Sequence, residues 1–472
     1  MAAKLKQGGF AGKRVLVMGL GRFGGGVGVS RFLVKQGAQG TVTDISGPGK
    51  LSESMRQLSD LPITYHLGGH REEDFTREKT DVVVVNPAVK KDSPYLQITR
   101  REGVELTSEM NMFFERCPAK IVGITGSNGK STVTAMIAAV LEKGAGRAGS
   151  RYKKVWVGGN IGKENLLCQV DKIGADDVAV LELSSFQLYD LGTVKLSPQI
   201  AVLTNIAPNH LDWHGSMAEY VRAKQNILHY QRAGDFAVLN RQETDFSDWA
   251  RLTQGEVIWY PQEQREKIAL QVPGEHNQLN AAAALAVAGL FGVEPTEARQ
   301  ALAEFKGLPH RLELVAEIGG VRYYNDSIAT TPESVIAALK AFAQPKVMIL
   351  GGYDKKVSLE SLAQELVNCG TVTHAALIGQ VQETLAIQIE ICKRTKALER
   401  PICKKAGDLA EAFDWARQQA QPGMVVLLSP ACASYDMYNN FQERAEHFRQ
   451  LVQKLQRAGG LTGSSGFFQS DF

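Results

Sequence analysis

Short runs of apolar residues alternate with segments of helical periodicity along most of the chain. The first run, Arg14 to Met18, precedes several glycines and a helical segment near Val29 to Gln36. A second run, Thr41 to Thr43, ends at Asp44. Continuous apolar strands separated by helices are typical of parallel sheets that are covered on both faces. The pattern therefore predicts an α/β protein.

Later runs and two junctions predict how the chain divides. Further strands lie in DVVVVNPAV, KIVGITG, VAVLELSS and IAVLTNIAP, and then in VMIL, AALIG and MVVLLS. Pro118 marks one junction, and the loop FKGLPHRLEL, after a long helical pattern, marks another. A chain of 472 residues is too long for one core. We expect domains at 1–116, 117–306 and 307–456, and a disordered Gly/Ser-rich tail at 457–472.

Composition narrows the class of protein. The net charge is only +3, with 22% charged residues, which gives no overall indication of nucleic-acid or membrane binding. Six cysteines are scattered singly without a C-x-x-C pair, which disfavours zinc sites and disulfides. The N-terminal apolar stretch is too short for a signal peptide or a membrane span. We expect a cytoplasmic enzyme.

The segment ITGSNGKST, between an apolar run and an alanine-rich run, is typical of a phosphate-binding loop. Its backbone amides and the following helix N-terminus can surround a phosphate, while Lys130 reaches the terminal phosphates and Ser131 binds Mg²⁺. The match to G-x-x-x-x-G-K-[ST] is incomplete, because Ile124 replaces the first glycine. We favour ATP binding over an incidental turn.

A second glycine-rich turn, GLGRFG, follows the first strand, and Asp44 ends the next strand. This spacing resembles the dinucleotide-binding fingerprint. It is compatible with a dehydrogenase or with a domain that binds another nucleotide diphosphate. The phosphate loop downstream favours the second interpretation.

Four charged or polar side chains extend the candidate site. Glu182 ends a buried strand, and His210 and Asp212 follow another, so they are candidate Mg²⁺ ligands. The alternatives are a helix-capping carboxylate and an ordinary loop histidine. Lys224 falls in an apolar helical stripe with Tyr220. It either extends to water or loses its proton, and a neutral amine can take up CO₂ to form an anionic carbamate.

The chain resembles the Mur ligases of peptidoglycan synthesis from about residue 14 to about residue 452. The motifs that carry the resemblance are ITGSNGKST, GGNIG, LELSSFQL, NHLD, YVRAK, GEHNQLNA, GLPHRLE, NDSIATTPES, LGGYDK and SPACASYDMYNNFQERAEHF. The family implies a Rossmann-like N-terminal domain for a UDP moiety, a central P-loop ATPase α/β domain and a C-terminal Rossmann-like domain for the incoming amino acid.

The resemblance also implies an activity, and it is strongest to the members that add D-glutamate to UDP-N-acetylmuramoyl-L-alanine. ATP would phosphorylate the substrate carboxylate, and the amine of D-glutamate would attack the acyl phosphate. Two Mg²⁺ ions and Lys130 would neutralise charge during the transfer. We expect a monomer.

Residue roles follow from the matched motifs. Lys130, His210 and Lys224 would be catalytic, with Ser131 and Glu182 holding one Mg²⁺ and His210 with carbamylated Lys224 holding the other. The expected ATP contacts are Gly126, Ser127, Asn128, Gly129, Lys130, Ser131, Thr132, Asn277, Asn280, Arg311 and Asp326. The expected UDP-substrate contacts are Gly21, Arg22, Phe23, Asp44, Asn160, Ser184 and Gln187. The expected D-glutamate contacts are Thr330, Lys355, Ser434 and Phe441.

Two departures from the family pattern bear on these roles. Ile328 stands where many relatives carry lysine, so Lys355 or Lys356 would bind more of the D-glutamate charge. The stretch 143–154 is basic, and we interpret it as a solvated loop. The alternatives are a sister ligase adding another amino acid or dipeptide, a folate polyglutamylating enzyme, an inactive nucleotide-binding regulator and a dehydrogenase.

Overall fold

The computed structural model describes residues 9–21, 24–147, 149–161, 165–262, 267–355 and 357–460. Arg22 and Phe23, two of the expected UDP-substrate contacts, lie outside the described residues, as do Lys356 and residues 461–472. The disordered tail expected at 457–472 stays a prediction, and the bounds of the last helix, Phe441–Gly460, overlap its first residues.

The described chain forms two compact units. The first comprises Met1–Ile268 and Leu279–Ala303, and the second comprises Ala269–Gln278 and Glu304–Phe472. The predicted boundaries at 116/117, 306/307 and 456/457 stay predictions.

The first unit contains two parallel sheets. Its strands are β1 (Arg14–Met18), β2 (Gln39–Asp44), β3 (Ile63–Leu67), β4 (Val82–Val85), β5 (Glu105–Thr107), β6 (Lys120–Thr125), β7 (Val155–Gly159), β8 (Val178–Glu182), β9 (Ile200–Leu203), β10 (Phe236–Asn240) and β11 (Glu256–Tyr260). The strand orders are β3-β2-β1-β4-β5 and β11-β10-β9-β6-β8-β7.

Helices cover these sheets or follow their strands. They are α1 (Gly25–Lys35), α2 (Pro48–Arg56), α3 (Pro94–Arg101), α4 (Glu109–Arg116), α5 (Lys130–Gly144), α6 (Ser185–Thr193), α7 (Leu211–His214), α8 (Met217–His229), α9 (Phe246–Trp249), α10 (Glu275–Leu290) and α11 (Pro295–Ala303). The first four residues of α10, 275–278, belong to the second unit. Every residue of β8 and β9 is buried, as expected for parallel strands covered on both faces.

The second unit contains one mixed sheet in the order β12-β13-β17-β14-β15-β16. The strands are β12 (Glu313–Ile318), β13 (Val321–Asn325), β14 (Lys346–Gly351), β15 (Val372–Ile378), β16 (Ile402–Lys405) and β17 (Val425–Leu428). The helices are α12 (Pro332–Lys340), α13 (Glu360–Asn368), α14 (Gln382–Lys396), α15 (Leu409–Gln419) and α16 (Phe441–Gly460). Only the β12–β13 pair is antiparallel among the described strand pairs.

The α/β class predicted from the apolar runs is confirmed. Each sheet falls within one of the three segments expected from the sequence. None of the described helices combines the length and hydrophobicity that a transmembrane span requires.

Candidate active site

The phosphate loop connects β6, near the middle of the second sheet, to the N-terminus of α5. Gly126 and Gly129 both have positive φ, at 150° and 81°. A Cβ at Gly126 would lie 1.9 Å from Thr204 Oγ1, so only glycine fits there. The tight turn brings Lys130, Ser131 and Thr132 to the first turn of α5, whose backbone amides lack intrahelical acceptors.

Residues after β9 fix the loop from one side. The backbone amides of Ser127 and Asn128 donate to the Asn205 carbonyl and side-chain oxygens, each at 2.9 Å. Asn128 accepts from Thr204 Oγ1 at 2.6 Å. These two amides are therefore committed to the scaffold. Phosphate donors are expected instead from the amides at the start of α5.

The Lys130 side chain folds back over the loop. Its Nζ donates to the Gly126 carbonyl at 3.1 Å and to the Ser127 carbonyl at 2.9 Å. The ammonium thus lies beside the position that a helix N-terminus makes favourable for an anion. The predicted pairing of a lysine with a phosphate-binding helix start is compatible with this geometry.

Asn280, the second expected nucleotide contact on α10, lies against the same loop. A Cβ at Gly129 would be 2.9 Å from Asn280 Oδ1. Asn280 is buried. The structure therefore brings Asn280 next to the glycine that precedes Lys130, as its proposed role requires.

Sequence reasoning missed the residue that anchors the loop from α8. The Tyr220 hydroxyl and Ser127 Oγ are hydrogen-bonded at 2.8 Å, and both side chains are buried. Ser127 Oγ also donates to the Ala207 carbonyl at 2.8 Å. Tyr220 was recognised only as part of an apolar stripe. A tyrosine that is buried among apolar residues usually has a hydroxyl partner, and that was the available signal.

Lys224 is buried beside the phosphate loop, with 1% of its surface exposed. Its Nζ donates to the Gly126 carbonyl at 2.8 Å and to Thr125 Oγ1 at 3.1 Å. Burial holds the pKa of Lys224 well below its ordinary value; the positive charge of Lys130 lowers it further and Glu182 opposes this. The alternative in which Lys224 extends to water is wrong, because its amine points into the protein.

Glu182, at the end of β8, is the buried carboxylate of the site, with 2% exposure. Its Oε1 accepts from Asn160 Nδ2 at 3.0 Å. Its Oε2 is buried and has no hydrogen-bond partner among the described residues. Carboxylate oxygens are ligands that Mg²⁺ prefers, so an unpartnered one is suited to a metal.

The helix-capping alternative for Glu182 is wrong, because Ser184 caps α6. Ser184 Oγ accepts from the Gln187 amide, and Gln187 Oε1 accepts from the Ser184 amide at 2.9 Å, which forms a capping box. Both residues were expected to contact the UDP substrate. Their hydrogen bonds here show a local structural role as well.

His210 immediately precedes the one-turn helix α7 and has a left-handed backbone, with φ of 53°. Its ring centroid lies 4.9 Å from that of Phe186 on α6. The described residues hold no cluster of three or more His, Cys, Asp or Glu side chains. A metal site built from these four residue types alone is therefore absent from the described parts.

The glycine-rich turn of the first sheet is held by Asp44. Asp44 Oδ2 accepts from the backbone amides of Leu20 at 2.9 Å and Gly21 at 3.1 Å. The expected UDP-substrate residues Asp44 and Gly21 are thus adjacent, but the carboxylate is occupied by the turn itself. Beneath the turn, Gly19, Asn86 and other residues line a cavity at the switch point between β1 and β4, where α/β sheets bind ligands.

In the second unit, Arg311 lies just before β12 and Asp326 follows β13, and these two strand ends are adjacent in the antiparallel pair. Asp326 Oδ1 accepts from the Leu312 amide at 3.2 Å, and Oδ2 accepts from Ser429 Oγ at 2.7 Å. Burial raises the pKa of Asp326 to about 7, although Ser429, the Leu312 amide and Arg311 counteract it. Arg311 Nε is buried without a hydrogen-bond partner in the described parts of the chain.

Asn277, the other expected ATP contact on α10, is held by its own helix start. Its Nδ2 donates to the Pro273 carbonyl at 2.6 Å.

The four expected D-glutamate contacts all lie in loops or helix starts of the second unit. Lys355 Nζ donates to the Thr330 carbonyl at 3.3 Å, and burial lowers the pKa of Lys355. Ser434 is buried and its Oγ finds no partner among residues that the structure describes. Phe441, the first residue of α16, accepts from Ser327 Oγ through its carbonyl at 2.8 Å.

Arg444 is a buried cation that sequence reasoning missed. It is fully buried, and it donates to Ser327 Oγ at 3.0 Å and to the carbonyls of Ser327 and Cys432 at 2.9 and 3.1 Å. Burial lowers its pKa to about 10. These bonds fix the Ser434 loop relative to Ser327. Arg444 lies four residues before Phe448 and eight before Val452, so helical spacing on the apolar face of α16 was the available signal.

The basic side chains Arg147, Arg151, Lys153 and Lys154 of the stretch 143–154 are exposed, as interpreted. Arg147 forms an ion pair with Glu297, and Lys153 pairs with Asp176 at 2.9 Å.

Comparison with known families covers most of the chain. Residues 13–108 match the Mur ligase MurD-like N-terminal domain, residues 124–265 the Mur ligase middle domain, and residues 310–432 the Mur ligase glutamate ligase domain.

Curated relatives extend the similarity over nearly the full length. A UDP-N-acetylmuramoylalanine–D-glutamate ligase of Roseiflexus sp. is 41% identical, over 94% of this chain and 99% of the relative. The enzyme of the same name from Acetivibrio thermocellus is 37% identical over 91% and 96%.

Solved structures share the fold at lower identity. The UDP-N-acetylmuramate–alanine ligase of Thermotoga maritima has a TM-score of 0.58 at 19% identity, over 94% of this chain and 100% of that chain. The folylpolyglutamate synthase of Mycobacterium tuberculosis has a TM-score of 0.53 at 16% identity, over 72% and 94%. From the long matches above 30% identity, the chain belongs to the Mur ligase family of ATP-dependent amide-bond-forming ligases, among the UDP-N-acetylmuramoylalanine–D-glutamate ligases.

Proposed function

We propose that this protein joins D-glutamate to UDP-N-acetylmuramoyl-L-alanine with consumption of ATP. The observation that carries the proposal is the group around the phosphate loop, where Lys130, buried Lys224 and buried Glu182 meet at one sheet edge. The names of the long relatives support the choice of substrates. The sister ligase and the folate ligase share the fold at only 19% and 16% identity, whereas the D-glutamate ligase of Roseiflexus sp. reaches 41%.

The chemistry requires activation of an inert carboxylate. The γ-phosphoryl of ATP is transferred to the carboxylate of the alanyl group, which releases ADP and makes an acyl phosphate. The amine of D-glutamate then attacks the acyl carbon, an amide forms, and phosphate and a proton leave. Catalysis of such transfers is mostly positioning and neutralisation of charge.

Residues of the phosphate loop perform these tasks in the first unit. The start of α5 orients the phosphates, and Lys130 exchanges its carbonyl partners for phosphate oxygens. Its ammonium then balances negative charge that develops during transfer. Ser127 does not contact this charge through its hydroxyl, because that group is bonded to Tyr220 and Ala207. Its part is to keep the loop rigid.

Mg²⁺ fits the side chains that are present. The buried, unpartnered Oε2 of Glu182 suits a hard cation, with Ser131 as the second protein ligand. His210 and carbamylated Lys224 would hold a second ion. Bound Mg²⁺ supplies positive charge to the phosphate oxygens.

Carbamylation of Lys224 is part of the proposal. Burial lowers the pKa of Lys224 and so favours the neutral amine, whose lone pair can add to CO₂ with loss of one proton to give the carbamate. The added group changes the residue from a potential cation to an anion.

The proposed substrate contacts come from both units. Gly21 and Asp44 form the turn at the first sheet for the UDP moiety, and Asn160 adjoins Glu182 for the muramoyl-alanine. In the second unit, Lys355 supplies positive charge and Ser434 a buried hydroxyl for D-glutamate. The remaining proposed contacts are Ser184 and Gln187 for the UDP substrate, Thr330 and Phe441 for D-glutamate, and Asn277, Asn280, Arg311 and Asp326 for ATP.

The domain assignment is part of the proposal. Residues 1–116 bind the UDP moiety, 117–306 bind ATP, and 307–456 bind the amino acid. The three family matches fall inside these segments, which supports them. We also propose a cytoplasmic monomer without nucleic-acid or membrane partners. Its six cysteines are unpaired in the structure, which suits a reducing compartment.

One assay tests the function. Phosphate release from ATP is measured with UDP-N-acetylmuramoyl-L-alanine and, in turn, D-glutamate, L-glutamate, L-alanine and a diamino acid. We expect release that depends on the UDP substrate and on D-glutamate. Equal or greater turnover with another amino acid would assign the chain to a different ligase.

A further inference from the structure

A lysine in the loop after β4 lies between two aromatic rings. Lys91 Nζ is 3.8 Å from the centroid of the Tyr189 ring and 4.7 Å from that of the Trp213 ring. Tyr189 belongs to α6 and Trp213 to α7. A cation over aromatic faces is attracted by the negative face of the ring, and the attraction grows as water is excluded. Lys91 is half-buried, and desolvation lowers its pKa.

The aromatic cluster continues from Trp213 to His210. The Phe186 ring centroid lies 4.7 Å from that of Trp213 and 4.9 Å from that of His210. The His210 carbonyl accepts from the Trp213 amide at 3.1 Å. Because α7 has only one turn, whatever fixes the Trp213 ring also fixes the backbone that carries His210.

The same loop borders the cleft of the first sheet. Asn86 and Pro87, which follow β4 directly, line the cavity beneath Gly19. Asn86 Oδ1 accepts from the Ala88 amide at 3.1 Å, which shapes the loop that leads to Lys91. One short segment thus lines the cavity beside the glycine-rich turn at one end and contacts α6 and α7 through Lys91 at the other.

We propose that Lys91 is a positioning residue that links the loop after β4, which lines the cavity beside the glycine-rich turn, to the turn carrying His210. The inference rests on the proposed function, since the role of His210 as a metal ligand belongs to it. The cation between the rings holds Trp213, and through it the His210 turn, in the position that binds the second Mg²⁺. Lys91 itself does not contact the reacting groups.

The neighbouring Lys90 offers a matched control. It is exposed and lies in the same loop. Lys90→Met and Lys91→Met each remove one positive charge and retain a long apolar chain. Only the Lys91 change removes the cation from between the rings. Lys91→Arg keeps a cation that can occupy the same place.

The first readout is metal affinity, which does not require ligation. Mn²⁺ binding in the presence of a non-hydrolysable ATP analogue is followed by electron paramagnetic resonance. We expect Lys91→Met to weaken the His210-dependent Mn²⁺ site by about three- to tenfold, the range of a partly desolvated cation–π contact. Lys91→Arg should restore most of the affinity, and Lys90→Met should bind as the unchanged protein does. A His210→Ala variant identifies which Mn²⁺ signal belongs to the site.

The second readout separates positioning from direct substrate contact. In steady-state kinetics, Lys91→Met should raise the Mg²⁺ concentration for half-maximal rate by a similar factor, while kcat at saturating Mg²⁺ and KM for D-glutamate change by less than about twofold. In a Tyr189→Leu background the further effect of Lys91→Met should be smaller, because the ring that holds the cation is already missing.

Several outcomes would overturn the inference. These are a change only in KM for the UDP substrate, an equal effect from Lys90→Met, or failure of Lys91→Arg to restore metal affinity. If the unchanged protein shows no phosphate release that depends on D-glutamate, the proposed function fails. The Mn²⁺ measurements still decide the role of Lys91 in that case.

Discussion

The amine of Lys224 donates to the carbonyl oxygen of Gly126 at 2.8 Å, so a buried basic group contacts the backbone of the phosphate loop. Its low pKa is caused first by burial and then by Lys130. Because this amine is buried beside the phosphate loop, Lys224 is a candidate for carbamylation, and its carbamate is a candidate metal ligand.

The first prediction follows from that relationship. Lys224→Ala should lower kcat by at least about a hundredfold, the usual effect of removing one group that stabilises transferred charge. High concentrations of acetate should restore part of the activity, because a small carboxylate can occupy the place of the carbamate. The measurement is ligation rate against acetate concentration.

Lys346 provides the control for this rescue. It is also fully buried, donating to the Phe342 carbonyl and to Thr371, but it lies at the start of β14. Acetate should not stimulate a Lys346→Ala variant. Full activity of Lys224→Ala, or equal stimulation of both variants, would contradict the carbamate.

The second prediction concerns Lys130. Lys130→Ala should lower ligation by at least about a hundredfold, because the transferring phosphoryl group loses its cation. Thermal stability should change little, since its bonds to the carbonyls three and four residues earlier lie within the same loop and tie no distant segment to it. Lys120→Ala, at the exposed start of β6, is the control and should keep normal activity. Substantial turnover by Lys130→Ala would show that the loop is not catalytic.

The third prediction tests the anchor between Tyr220 and Ser127. Tyr220→Phe should raise KM for ATP by about three- to tenfold, because one net hydrogen bond contributes about 1 kcal/mol to holding the loop. Tyr260→Phe is the matched control, since that hydroxyl is also buried and donates to the Leu203 carbonyl at 2.8 Å. It should lower stability without changing KM for ATP. Similar KM values for both variants would remove Tyr220 from nucleotide binding.

The fourth prediction concerns D-glutamate. Lys355→Ala should raise KM for D-glutamate by about tenfold or more, and KM for ATP much less, because a charge-assisted contact to a carboxylate is lost. Ile328 provides no second cation there. Steady-state kinetics with each substrate varied will test this, with Lys356→Ala as the comparison. A larger effect from Lys356→Ala would reassign the binding lysine.

The fifth prediction uses the pKa of Asp326, which is about 7 in the folded protein and ordinarily 3.8. The folded state therefore holds an extra proton between these values. Its stabilising contribution is complete below about pH 4 and is lost as pH rises through 7. From pH 5 to pH 8 the free energy of unfolding should fall by about 2 kcal/mol more in the unchanged protein than in Asp326→Asn.

Urea unfolding, monitored by hydrogen–deuterium exchange of the β13 amides, measures this difference within the second unit. Glu317→Gln, at an exposed carboxylate on β12, is the control and should follow the unchanged protein. Equal pH dependence of all three proteins would contradict the raised pKa.

The sequence by itself determined the features that depend on local order. The apolar run of β4 and the one that precedes Glu182 in β8 predict buried parallel strands, because four consecutive residues in each are apolar. The strand–glycine–lysine–helix order predicted the phosphate loop because the residue types that such a turn requires are adjacent in the sequence. Motif order along the chain also indicated the ligase family.

Only the tertiary structure decided which long side chains are buried and what they bind. Lys224 could have extended to water, and Glu182 could have capped a helix; the packing of α8 and the Ser184 cap exclude both. Tyr220, Arg444 and Lys91 gained their partners from segments far away in the chain. Local periodicity places a side chain on one face of its own element. Its burial, its pKa and its partners depend on the elements that pack against that face, and these are brought there by the fold.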